Sequence, residues 1–284
     1  MPGFIYLIFT DHLGMPMSDR KRSIKLTRRS TEDRSGGSQV RHGSRTSVAV
    51  PSFFTLMNLF CGFVAITQIH QGQFVYACYL IILAGLFDLL DGMAARLTRG
   101  VSLFGAELDS LCDVVSFGVA PAYLIYARML EGSGMFGLII SALPAMCSAV
   151  RLARFNLQFS EEKKLDFEGL PAPVQAYCII AIVLNIDQET WLLRSGILDT
   201  EVLIPVVVLL SFLMVSLIRF DGVPRISFDY LRQYPIASGA YIISVLLIGF
   251  LPYTGLLLVL LVYVLIGLTR ASTRSIRALM ALPK

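Results

Sequence analysis

The sequence predicts an all-α, polytopic membrane protein with about eight transmembrane helices. Three observations carry that reading. Of the 284 residues, 55% are hydrophobic and only 15% are charged, against about 25% charged in an ordinary soluble domain. From Phe53 onward apolar runs succeed one another at 53–69, 74–97, 104–126, 134–156, 172–186, 201–219, 236–251 and 254–270. Several sit near the lower limit of the ~17–25 residues a helix needs to cross a bilayer. Counted as crossings, these runs segregate the Lys/Arg residues to one side.

The elements follow in order. The opening "MPGFIYLIF" has too short an apolar core and the wrong flanks for a cleavable signal, which needs about 7–15 apolar residues behind a basic segment. Residues 18–47 hold nine Lys/Arg against three acids. Such a stretch buries too little apolar surface to offset ordering entropy, so residues 1–47 are expected to be a disordered basic tail on the cytoplasmic side. It suits anionic lipid head groups. With no aromatic side chain in 18–47 to stack on bases, nucleic acid is not an expected partner.

The second and third runs make a hairpin about "TRGVS" (98–102). The fourth ends in "RLARFN" (151–156). The fifth is the weakest, with Pro171 and Pro173 at its start and Asn185 and Asp187 at its end. The segment 219–235 receives no role. The last two runs meet at "LPYTG" (251–255), which imitates a cell-wall anchoring signal, although proline and glycine belong in a turn between two spans anyway. With the basic tail inside, 22 of the 24 Lys/Arg fall on the cytoplasmic side and only Arg128 and Arg194 outside. The positive-inside bias therefore puts both termini, including the basic 271–284, in the cytoplasm. Cys61, Cys78, Cys112, Cys147 and Cys178 all lie in apolar stretches without a C-x-x-C pair and read as small buried hydrophobes. His12, His42 and His70 fall in the tail or a loop, which disfavours histidine-based catalysis.

Against this apolar background, "FDLLDGMAARLTRGVSLFGAELDSLCDVVSFG" (87–118) carries Asp88, Asp91, Asp109 and Asp113, with Glu107 beside them. Measured from Gly100 along two antiparallel helices at about 1.5 Å per residue, the four aspartates reach similar depths, roughly 13–20 Å from the turn. Asp88, Asp91, Gly92 and Ala95 share one arc of the second helix. Gly105, Asp109, Cys112, Asp113 and Ser116 share one arc of the third. A central aspartate costs about 2.5–3.5 kcal/mol on insertion, and Arg96 at the rim cannot neutralise four. Two divalent cations would, and oxygen-only ligands suit Mg2+ or Mn2+, or Ca2+.

The arrangement D-x-x-D-G-x-x-A-R, eight residues, then G-x-x-x-D-x-x-x-D resembles the signature of the CDP-alcohol phosphotransferase family. It reads here as Asp88, Asp91, Gly92, Ala95, Arg96, Gly105, Asp109 and Asp113, with no position missing. "ELDSLCDVVSFGVAPA", "RLARFN", "FEGLPAP" and "PSFFTLMNLFCGF" are similar to the serine-using branch, although Ser52 stands where asparagine is common. The likeness covers about residues 51–220.

The resemblance implies a six-helix catalytic core (48–220), two further helices (221–270), two bound metal ions and a homodimer. It implies transfer of a phosphatidyl group from CDP-diacylglycerol to L-serine with release of CMP. Asp88, Asp91, Asp109 and Asp113 are then metal ligands, Asp113 also the general base. Gly92, Gly105 and Arg96 approach the nucleotide, with Thr55 and Asn58 beside it. Arg151 and Arg154 hold the serine carboxylate or a lipid phosphate, or else act as interfacial anchors. Ser116 is expected to bond its own helix. The rivals are another acceptor alcohol, such as glycerol phosphate or an inositol derivative, and a cation transporter that uses the acids as an ion site.

Overall fold

Helices begin and end where the side chains dictate. In the computed structural model, residues 45–98, 103–159, 169–188, 190, 200–216, 218, 220 and 235–280 are described. They give α1 (Arg45–His70), α2 (Phe74–Thr98) and α3 (Leu103–Asp113). The third span continues from α3 through a π-helical segment (Val114–Val119), α4 (Ala120–Ile125) and a second π segment (Tyr126–Leu130). A 3-10 turn, Glu131–Ser133, leads to α5 (Gly134–Phe159). Then come α6 (Ala172–Asp187), α7 (Thr200–Val215), α8 (Pro235–Phe250) and α9 (Pro252–Met280). Each of the eight apolar runs lies on helix, and the described residues hold no strand.

Glycines make two of the reversals. Gly72 has φ 75° and its N–H donates to Ile69 O at 2.9 Å, while Gln73 N–H donates to Gln68 O at 2.9 Å. These are the paired bonds that close a helix on a left-handed residue. Gly134, φ 58°, does the same work in the longest apolar stretch. Phe104–Asn156 runs 53 residues, roughly 80 Å if it were one straight helix, more than twice the ~30 Å hydrocarbon core. At Gly134 the chain turns, and α5 packs back on the first π segment and α4. The stretch is therefore two crossings.

Ser52–His70, Phe74–Leu97 and Pro252–Thr273 are also long and apolar enough to cross, with Ala172–Asp187 and Val202–Val215 as shorter apolar helices. Together with α8 these make eight spans among the described residues, and the chain is an integral membrane protein. The weakest run in the sequence, α6, is the centre of the packing: ten of its side chains from Ala176 to Ile186, Tyr177 apart, are buried. Its few polar groups are bonded to neighbouring spans. Gln175 Nε2 donates to Ser211 Oγ on α7 (3.2 Å), and Asn185 Nδ2 donates to Tyr253 O on α9 (2.9 Å). At the same end Arg128 pairs with Asp187 at 3.3 Å and lies over the Phe74 ring.

The "LPYTG" stretch is a helix-to-helix joint: Leu251 bends the chain, Pro252 starts α9, and Gly255 N–H donates to Leu251 O at 2.7 Å. The five cysteines are free. Phe220, in the segment given no role, is buried and stacks on Tyr263 with centroids 6.1 Å apart. The expectations for residues 1–44, the turn residues 99–102, Lys163, Lys164, Arg194 and 221–234 lie outside the described residues.

Before α6, Gly169 takes φ 84°, donates to Ile218 O at 2.8 Å, and would carry a Cβ only 2.1 Å from Met214 O. A left-handed conformation alone costs a side chain roughly 1–2 kcal/mol. Gly169→Ala is expected to lower the melting temperature in detergent by more than the conservative Ala172→Ser control. An unchanged melt would show that the α6–α7 junction tolerates repacking.

Candidate active site

The i,i+3 and i,i+4 spacings put Asp88 and Asp91 on one face of α2 and Asp109 and Asp113 on one face of the third span. One carboxylate oxygen each from Asp88, Asp109 and Asp113 lie within 4.8 Å of one another. Asp91, 7% exposed, stands outside that triad and accepts a hydrogen bond from Thr55 Oγ1 on α1. Asp113, 8% exposed, accepts from Asn58 Nδ2 at 2.9 Å.

Asn58 is fully buried, and its carbonyl accepts from Ser116 Oγ at 3.0 Å. Ser116 thus departs from the sequence expectation. It does not turn back on its own helix but reaches across to α1, because α1 offers no side chain at Gly62 to keep it away. A Cβ there would meet Ser116 Oγ at 2.5 Å and its Cα at 2.9 Å. Ser116 lies in the π segment that begins straight after Asp113, the kind of local widening that concentrates at functional sites.

The two arginines of "RLARFN" separate. Arg151 faces the acids: its guanidinium and the Asp113 carboxylate attract one another, and its Nε is buried without a hydrogen-bond partner among the described residues. Arg154 Nη1 donates to Val215 O at 2.9 Å, satisfying a carbonyl at the C-terminus of α7 that no intrahelical donor reaches. Asn156 bridges α5 to α3, donating to Glu107 Oε2 and accepting from Ser110 Oγ, both at 3.1 Å. Glu107 is thereby held away from the aspartates. Arg96 is exposed at the end of α2, and the nearest described atoms to a Cβ added at Gly92 are its Nη1 and Nη2, at 3.7 and 4.0 Å. Gly105, half-buried, lies one turn before Asp109.

Two further groups come from spans that sequence spacing could not connect to the site. Tyr177 of α6 lies within electrostatic reach of Asp88 and Asp113. Tyr263 of α9 stands similarly to Arg151. An aromatic residue in an apolar run carries no signal of such a place.

The residues present fit a divalent cation. Three carboxylates converge, all donors are oxygen, and Asp109 Oδ1 and Asn58 Oδ1 are buried without a hydrogen-bond partner among the described residues. A buried acceptor left unpaired costs about 1–3 kcal/mol, a penalty that a bound cation or substrate donor would remove. Hard cations such as Mg2+ and Mn2+ take this donor set.

Carboxylates brought together among apolar helices are an arrangement that a membrane-embedded phosphotransferase can use, and comparison with known proteins assigns the chain to that class. The chain belongs to the CDP-alcohol phosphatidyltransferase family, whose match covers residues 48–267. It is similar to the CDP-diacylglycerol–serine O-phosphatidyltransferase of Helicobacter pylori, 36% identical over 63% of this chain and 74% of the relative. The protein of the same name from Bacillus subtilis is 34% identical over 60% of this chain and 89% of the relative. The archaetidylserine synthase of Methanothermobacter thermautotrophicus is 39% identical over 49% of this chain and 59% of the relative.

Removing the Asn58 amide strips Asp113 of its donor while leaving the carboxylate buried. Asn58→Ala is expected to cost about 1–3 kcal/mol of stability, and Ser116→Ala less. Melting curves of the purified variants check this order, and the reverse order would place the principal bond between Ser116 and Asn58.

Proposed function

We propose that the protein transfers a phosphatidyl group from CDP-diacylglycerol to L-serine, giving phosphatidylserine and CMP. The observation that carries the reading is the convergence of Asp88, Asp109 and Asp113 beside an inward-facing Arg151. The serine-specific names of the relatives from Helicobacter pylori and Bacillus subtilis support the acceptor. The division into a catalytic core (48–220) and two added spans (221–270), a homodimer, and a site opening to the cytoplasm at the inner membrane belong to the same reading. The Lys/Arg bias supports the orientation.

Asp88, Asp91, Asp109 and Asp113 would hold the divalent ions, which when bound would neutralise diphosphate charge and stabilise departing CMP. The chain's own groups do the rest. Asn58 Nδ2 donates to Asp113 Oδ1 and orients the carboxylate that takes the proton of the serine hydroxyl. The freed oxygen attacks the phosphatidyl phosphorus, and the bond from that phosphorus to the CMP oxygen breaks. Thr55 fixes Asp91. Arg151 supplies a planar donor for the serine carboxylate, whereas Arg154 is engaged by Val215 O and holds the wall on which Arg151 stands. Gly92, Arg96 and Gly105 line the approach of the nucleotide.

A relative that is an archaetidylserine synthase favours testing an archaetidyl donor beside the diacyl one. Asp113→Asn is expected to reduce turnover by about 10²–10⁴-fold, the usual worth of a positioned base, and a wild-type rate would refute its role. Stripping the purified protein with EDTA should abolish CMP release and Mn2+ or Mg2+ restore it; release that persists without metal would overturn the metal assignment. With a panel of serine, glycerol 3-phosphate and inositol, product from another alcohol but not serine would overturn the acceptor.

A further inference from the structure

One turn deeper than Asp88, α2 has a notch at Gly85. A Cβ built there would lie 1.7 Å from the Tyr177 hydroxyl oxygen and 2.9 Å from the ring carbon bearing it. The phenol of Tyr177, carried by α6, therefore occupies the volume that a side chain at Gly85 would take. Its hydroxyl is within electrostatic reach of Asp88 and Asp113, the two aspartates farthest from the α2–α3 connection. Its ring meets Phe117 edge to face, centroids 6.4 Å apart and planes at 73°. Phe117 is fully buried, four residues beyond Asp113.

The site thus has two unlike walls. On one, α1 supplies Thr55 and Asn58, each bonded to an aspartate. On the other, α5 supplies Arg151, whose Nε is buried without a partner among the described residues, and α6 supplies Tyr177. An amino-acid acceptor that places its carboxylate on Arg151 and its hydroxyl at Asp113 must lie along this second wall. Tyr177, in the Gly85 notch one turn from Asp88 and against Phe117 one turn from Asp113, closes that wall beyond the two aspartates.

We infer that Tyr177, seated in the Gly85 notch, is the specificity-determining wall of the acceptor pocket: it admits a hydroxy amino acid of serine's length and excludes one a methylene longer. This rests on the serine reading above. Fit of one methylene is worth about 10–200-fold in discrimination between substrates.

The test measures kcat and KM for L-serine and L-homoserine with the full-length protein in mixed micelles of CDP-diacylglycerol and Mn2+, alongside Mn2+ affinity by electron paramagnetic resonance. Tyr177→Leu should shrink the serine-to-homoserine ratio of kcat/KM by about tenfold or more, chiefly through the acceptor KM, with Mn2+ affinity and the CDP-diacylglycerol KM held. Tyr177→Phe keeps the ring and should keep the ratio. If Tyr177→Leu does not fold, Tyr177→Met gives the same comparison. A parallel fall for both acceptors, or an unchanged ratio, overturns the assignment and leaves Tyr177 a packing residue. Wild-type protein that rejects serine but uses another alcohol defeats the serine reading alone; Tyr177 is then judged on that alcohol and its one-methylene homologue.

Discussion

Three carboxylates with oxygens within 4.8 Å of one another, at membrane depth, repel. At an effective dielectric of about 20, each ionised pair at that distance costs on the order of 3 kcal/mol. The rest of the bundle is organised around making that placement tolerable. Thr55 and Asn58 donate to two of the four aspartates, and Arg151 attracts Asp113 from α5. These groups do not neutralise the cluster. They fix its geometry and leave a centre of oxygen donors that suits a divalent cation.

Holding such a geometry requires helices to approach closely, and small residues supply the approach. Gly62 lets Ser116 reach α1, Gly85 admits the Tyr177 phenol, and a Cβ on Gly118 would press to 3.2 Å from Ser148 Cβ. In a membrane the apolar effect gives little preference for helix over lipid, so tight van der Waals contact and interhelical hydrogen bonds must supply the association. The central α6 gains from both: it is short, but it is ringed by protein and its polar residues Gln175 and Asn185 find partners on α7 and α9.

Much of this was legible in residue spacing. All eight spans follow from apolar length and the Lys/Arg bias, and the four aspartates follow from helical periodicity. What spacing could not show was which acid pairs with which neighbour. Asp91 bonds Thr55 and stands apart from the triad, and Ser116 serves α1, because both facts depend on how α1 packs across the α2–α3 hairpin. Likewise Arg151 and Arg154 are three residues apart and chemically alike. Only the position of α7 assigns one to the acids and the other to Val215 O. Tyr177 and Tyr263 were invisible for a simpler reason: in an apolar run a tyrosine is indistinguishable from packing until its neighbours are known.

The same packing bears on whether the acids belong to a reaction or to an ion path. A path across the membrane needs polar groups to continue beyond the charged centre. Past Asp113 the third span presents Phe117, Ala120, Leu124 and Ile125, all buried and apolar. Thr67 and Ser141 turn back on their own helices, to Val64 O and Leu138 O. The next charges along the third span, Arg128 with Asp187, are paired with each other. Phe117 and Tyr177 pack together beyond Asp88 and Asp113, on the side away from the α2–α3 connection. Closure on that side suits a reaction site and not a path through the membrane.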